Sequence, residues 1–321
     1  MPRIAVTGSV AFDTIMVFPG RFGEHILPDK THILNVSFLV DRLERRRGGT
    51  AANIAYTLAL LGERPLLCAA VGDDFAGYGA ELERSGVDTS AALRCDDVAT
   101  ASCFITTDLD DNQITAFFPG AMGRAGSIDL RRLDADVDTV VVAPDAPDAM
   151  AAHVGQAAEL GHRLVFAPAQ QIPSLPTETL AAGLDAAWMV VGNDYEIELL
   201  RSRTGVGVEA LRDRGAIVAV TRGGKGSEIH SPDGVVEVPV APVEEVVDPT
   251  GAGDAYLAGL LAALRAGDGL AAAGRVGALA AAYCIECKGT QAHRFDRAGF
   301  AARYAENFGA ELPRLLEWRA P

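Results

Sequence analysis

Short apolar runs alternating with helix-period segments recur along most of this 321-residue chain, and that rhythm limits the fold more than any other feature. Ile4 to Thr7, Pro65 to Val71, Thr139 to Val142, Leu164 to Ala167, Trp188 to Val191 and Ile217 to Thr221 are brief and almost wholly apolar. Runs of that kind read as strands buried on both faces. Between them, Ala51 to Leu61, Phe75 to Ser85, Ala149 to Leu160 and Glu196 to Arg203 carry helical patterns. The alternation predicts an α/β domain: a doubly wound, mostly parallel sheet flanked by helices, with ligands at the carboxyl ends of the strands. No repeat or low-complexity linker divides the chain, so 1–321 read as one domain.

Two segments leave this rhythm and return to it, at about 13–48 and 99–120. The first holds strand-like pieces, Thr14 to Phe18 and Ile33 to Phe38, with no crossover helix between them. The second reads as a hairpin, Ser102 to Thr107 and Gln113 to Phe118, around the polar turn Asp108 to Asn112. Together they predict a small β-rich lid above the strand ends, suited to keeping water from a bound ligand.

Charge and cysteines exclude several classes. A net charge of −15 sets the bulk surface against nucleic acid and anionic membranes. The one basic run, Arg45 to Arg47, reads as a solvated hinge or loop face. Cys68, Cys95, Cys103, Cys284 and Cys287 form no disulfide framework, and Cys284 and Cys287 read as two small buried thiols. The longest apolar stretch, around Val276 to Ile285, is too short to span a bilayer, and the expected setting is cytoplasmic.

Asp248-Pro249-Thr250-Gly251-Ala252-Gly253-Asp254-Ala255-Tyr256 is the densest signal. It follows a strand-like Val243 to Val247 and precedes the apolar run Leu257 to Leu264. A glycine-rich turn opening a helix offers backbone N–H groups to an anion. An acid there also suits a simple helix cap. The chain has no G-x-x-x-x-G-K-[ST] and no convincing G-x-G-x-x-G after its first strand, against a P-loop or dinucleotide enzyme.

The nine-residue run resembles the C-terminal signature of the ribokinase-like (phosphofructokinase-B type) carbohydrate and nucleoside kinases. The resemblance implies that Asp254 takes the proton from the acceptor hydroxyl, and that the amides of Gly251, Ala252 and Gly253 hold the charge of the transferring phosphoryl. An ordinary carboxylate pKa near 4 would suffice for that base. Three more stretches match in order. Gly48-Gly49-Thr50-Ala51-Ala52-Asn53 is similar to the N-terminal signature, with Gly49 and Asn53 facing substrate. Asn193-Asp194-Tyr195-Glu196 resembles an N-x-x-E motif, which implies Asn193 beside ATP and Glu196 serving Mg²⁺ through water. Thr221-Arg222-Gly223-Gly224-Lys225-Gly226 resembles the nucleotide loop, implying ATP contacts from Thr221, Gly223, Gly224 and Gly226, with Thr250 nearby. In this family the loop around Asp248 and Thr250 and the one near Cys287 to Gln291 often share a monovalent cation beside the anion hole, so K⁺ is a candidate cofactor at Asp248. Related kinases often dimerise by pairing lids, which makes a homodimer through the lid one candidate assembly, but the sequence shows no self-complementary patch and does not give the oligomeric state.

The resemblance further implies that Ser9 and Asp13 lie at the acceptor, with Asp13 gripping two sugar hydroxyls. Phe18 to Phe22, Ser37 to Asp41, Gln113 to Met122, Pro168 to Gln171 and Gly289 to Gln291 look like bacterial adenosine kinases of the actinobacterial type. That implies Phe117 stacks on a purine, with Gln170 or Gln171 orienting the nucleoside. On the partner strand either Cys103 or Phe104 faces the base, since alternation forbids both. The expected reaction is phosphorylation of adenosine at its ribose 5′-hydroxyl to give AMP and ADP. A sugar kinase or a broad nucleoside kinase of the same family is the alternative; a silent nucleoside-binding protein is a remote one.

Overall fold

The computed structural model describes residues 2–26, 35–110, 112–133, 137–309 and 311–317. Strand β1 (Arg3–Thr7) leads into β2 (Ala11–Val17), a single helical turn α1 (Phe22–His25) and β3 (Arg42–Gly48). Helix α2 (Thr50–Leu60) is followed by β4 (Leu66–Cys68), β5 (Ala70–Gly72), α3 (Ala76–Arg84) and β6 (Leu93–Cys95). The hairpin β7 (Ala101–Thr107) and β8 (Gln113–Phe118) precedes β9 (Val137–Val142), α4 (Pro147–Glu159), β10 (Arg163–Phe166), α5 (Thr177–Ala186) and β11 (Ala187–Asn193). Then come α6 (Asp194–Thr204), α7 (Val208–Asp213), β12 (Ile217–Thr221), β13 (Ser227–Ser231) and β14 (Gly234–Val238). Three helices close the chain: α8 (Ala252–Arg265), α9 (Leu270–Ile285) and α10 (Arg297–Phe308).

The main sheet runs β14-β13-β12-β11-β10-β9-β1-β4, parallel from β12 to β4 and ending in the antiparallel pair β13 and β14. Its strands are apolar on both faces because both faces are covered. Val141 and Val165 join Ile54 and Leu260 in one core; Val140, Val142, Leu164 and Phe166 join Met150 and Leu180 in the other. Fully burying one such side chain contributes about 1.5–3 kcal/mol. From β1 the chain moves outward to β4, then returns to β9 on the other side of β1. The connection therefore reverses between β1 and β9, and an open α/β sheet leaves a crevice there.

The two excursions meet in one four-stranded sheet, β3-β2-β7-β8. Several local readings change. The run Pro65 to Val71 divides at Ala69, and β5 leaves the main sheet to pair with β6. Val243 to Val247 is not a strand; Val246 and Val247 are exposed, and the Val247 and Asp248 N–H groups donate to Ile285 O. Of Ile33 to Phe38, residues 33 and 34 lie outside the described residues and 35–38 form no strand; β3 lies further on. Arg45 to Arg47 is part of β3 rather than a loop. Arg45 stacks over Phe12 and pairs with Asp74, and Arg47 approaches Glu81 at 3.7 Å. Cys284 is buried but Cys287 only half so, and the cysteines are unpaired. No described helix is long and apolar enough to cross a membrane.

Candidate active site

At the β1–β9 reversal the backbone is tied tightly. Ser9 N–H donates to Pro144 O (2.8 Å), and Ser9 Oγ accepts from Thr50 N–H (3.1 Å). Gly49 makes the turn from β3 into α2 at φ +94°, where a Cβ would come within 2.6 Å of Ser9 O and Ala11 N. Only glycine lets the start of α2 press against the end of β1 in this way. Asn53, one turn into α2, thereby reaches the crevice floor.

Helix α8 packs against α2 in the same core. Its N-cap is Gly251 at φ +82°, and Asp254 stands in its first turn. Asn53 Nδ2 donates to Asp254 Oδ2 at 2.8 Å. Burial pushes the Asp254 carboxyl up to about 7; the Asn53 bond works against that shift and the negative Glu196 adds to it. The ordinary value expected from sequence is thus replaced by one near neutrality, because desolvation disfavours the charged form. Gly251 and Gly253 line the cleft, and their N–H groups have no protein acceptor among the described residues. Ala252 departs from expectation. It does not line the cleft, and its N–H donates to Pro249 O (3.3 Å).

The cleft has a volume of about 770 Å³, the size of a small-molecule site. On one side lie Asn193, Glu196, Thr221, Gly223 and Thr250. Asn193 Oδ1 accepts from Glu196 N–H (2.8 Å), while Glu196 Oε2 accepts from Asn193 N–H (2.9 Å). This capping box starts α6 and also aims both side chains at the cleft, so the cap and the functional reading coexist. Gly224 and Gly226 do not line it; at Gly226, φ is +85° and the turn passes close to Val238 O. Their contribution is the shape of the loop. Among the described residues no three His, Cys, Asp or Glu side chains gather as a metal cage. One hard oxygen donor, Glu196, facing a cleft fits a Mg²⁺ that keeps its water and rides on phosphate. The Asp248 carboxylate does not fit a bound monovalent cation. It lies outside the cleft lining and already accepts from Thr250 N–H (3.1 Å) and Gly289 N–H (3.0 Å), with the Arg46 guanidinium at 3.5 Å.

The lid supplies the other wall. Its register places Asp13 beside Cys103, and Cys103 beside Phe117, with all three facing the cleft. Phe104, next to Cys103 along β7, does not line the cleft, so Cys103 takes the inward position. Burial raises the Asp13 pKa, opposed by Arg46, its neighbour across β3. Gln170 and Gln171 line the cleft from the turn after β10. That turn opens at Ala169, which holds φ +42° and is the one non-glycine at positive φ among the described residues. Sequence reasoning missed Thr50, Met122, Pro144 and Thr290 as lining residues. Thr50, Met122 and Thr290 sat inside quoted stretches; Pro144 carried no signal of its own.

A family model described as pfkB family carbohydrate kinase matches residues 4–296. The chain is 33% identical over 292 residues to a nucleoside kinase of Methanothermobacter thermautotrophicus, across 87% of this chain and 91% of that one. A solved nucleoside kinase of Burkholderia thailandensis in complex with inosine superposes with a TM-score of 0.85 at 36% identity, covering 97% of this chain and 99% of that chain. The nucleoside kinase of Methanocaldococcus jannaschii, an archaeal member of the ribokinase family, gives 0.84 at 28% identity, covering 95% and 99%. The match over residues 4–296, with relatives alike over nearly their whole length, places this chain in the pfkB family of carbohydrate kinases.

Proposed function

We propose that the protein is an ATP-dependent nucleoside kinase that phosphorylates the ribose 5′-hydroxyl of purine nucleosides, adenosine among them, to give the monophosphate and ADP. The observation that carries the reading is the lid face, where Asp13, Cys103 and Phe117 stand side by side over the cleft. A carboxylate that accepts from a vicinal diol suits ribose. A flat ring nearby suits a base. Cys103, where a second aromatic would narrow the slot, leaves room for more than one base. The inosine complex of the Burkholderia relative agrees with that breadth.

Transfer needs positioning, charge neutralisation and one base. Asp254 accepts the proton of the 5′-hydroxyl as the phosphoryl departs from ATP. The Gly251 and Gly253 amides hold the equatorial oxygens, and the wall from Asn193 to Thr221 takes the nucleotide. Mg²⁺, held through water by Glu196, would neutralise phosphate charge when bound.

A panel of nucleosides and sugars offered with Mg-ATP, read by ADP release, tests the assignment. Adenosine and inosine are expected to give the highest kcat/KM; ribose or fructose turned over as efficiently would overturn it.

A further inference from the structure

Asn53 has bonding partners at both ends of its amide. Its Nδ2 donates to Asp254, while its Oδ1 accepts from Thr290 Oγ1 (2.7 Å) and Gln291 Nε2 (2.9 Å). The two ends of a primary amide are nearly equal in size but opposite in role. Turned over, Asn53 would fit the same space and aim its oxygen at a carboxylate. Fixing it the right way round therefore depends on the donors behind it.

The two donors are unequal. Thr290 has a single hydroxyl proton, and Arg47 O competes for it at 3.2 Å. Gln291 has two amide protons, one for Asn53 Oδ1 and one for Tyr78 Oη (2.5 Å). Tyr78 Oη in turn donates to Gly48 O (2.8 Å), at the end of lid strand β3. Tyr78, Thr290, Gln291 and Asn53 are 3%, 4%, 4% and 5% exposed. In a buried chain with each proton assigned, reversing one amide leaves donors facing donors, which is costly. Gln291 itself does not line the cleft.

We propose that Gln291 is a positioning residue for phosphoryl transfer: it locks the Asn53 amide with its NH₂ toward Asp254, so that one carboxylate oxygen is held and the other is left for the acceptor hydroxyl. The relay Gly48–Tyr78–Gln291–Asn53–Asp254 links the end of β3 to the reacting group. The inference rests on Asp254 acting as base and not on which acceptor is used.

A double-mutant cycle tests it. Gln291→Met keeps nearly the same volume and removes both protons. In the otherwise native enzyme it is expected to lower kcat about tenfold or more, with the KM for ATP unchanged. With Asn53→Ala already present, the same change is expected to cost less than about twofold, because its effect passes through Asn53. Equal losses in both backgrounds would mean general packing and would overturn the proposal, as would a single variant within about twofold of the native rate. If Gln291→Met does not fold by circular dichroism, Gln291→Glu replaces it; as a carboxylate it retains the shape but has no proton for either Asn53 or Tyr78. The same two ratios decide. Should the native enzyme phosphorylate a sugar and no nucleoside, the cycle is read with that sugar, so the substrate reading and this one fail separately.

Discussion

Asn53 and Asp254 are 201 residues apart in the chain and 2.8 Å apart in the fold, the amide of one helix start holding the carboxylate of another. That contact joins the lid-side helix α2 to α8. It also bears on the ionisation of Asp254, since the bond favours the charged form and so works against burial, the larger effect.

The first expected outcome concerns pH. Only the unprotonated Asp254 can accept a proton, and its pKa is raised to about 7. Activity is therefore full above that value and falls as pH drops through it. The kcat/KM for nucleoside, measured at low ATP, should decline about tenfold per pH unit on the acid side. Asn53→Ala removes a bond to the charged form and should move the acid limb upward. An acid limb near pH 4 would contradict the assigned environment.

A second expectation lies on the lid. Phe117→Ala removes an aromatic face worth about 0.5–1.5 kcal/mol beyond burial, so nucleoside KM should rise about two- to twelvefold with kcat little changed. Cys103→Tyr fills the space beside it and should raise KM for nucleosides while leaving that for ATP alone. Initial-rate kinetics with each substrate varied in turn checks both. An unchanged nucleoside KM in both variants would remove the lid from base recognition.

Gly251 allows a third. At φ +82° any side chain is strained, and a Cβ would lie 2.9 Å from Thr290 Cγ2. Gly251→Ala should destabilise the fold by about 1–2 kcal/mol from backbone strain alone. The displaced amide should also cost about 10²–10³ in kcat, the usual loss of one oxyanion donor. Denaturant melts and kcat separate the two effects. Native kcat in a folded Gly251→Ala protein would count against the anion hole.

Much of this was legible in sequence, though unevenly. Strand–helix alternation is a local property, so the doubly wound sheet followed from it directly. The Asp254 run was read because glycines, a helix start and an acid lie within nine consecutive residues. Alternation along β7 also narrowed the inward residue to Cys103 or Phe104, and the register with β2 and β8 decided it. Other features depend on residues that meet only in three dimensions. Arg45 to Arg47 looked solvated because Asp74, Asp248 and Glu81 come from distant segments. Gly224, Gly226 and Ala252 lie in the right loops, but a motif does not say which amides turn inward. Asp248 has the charge a cation wants, and the fold supplies Arg46 and two N–H groups instead.

The central claim is that Asp254 is the base, and Asp254→Asn tests it most directly. Asn keeps the shape and can still accept from Asn53 Nδ2, so the start of α8 and nucleoside binding should be preserved. It cannot take up the proton at neutral pH, so the loss should fall on the transition state. The account predicts a kcat lowered by about 10²–10⁴ with nucleoside affinity changed less than about threefold. If Asp254 were only a helix cap, Asn would cap nearly as well; a variant retaining more than about a tenth of the native kcat would contradict the account.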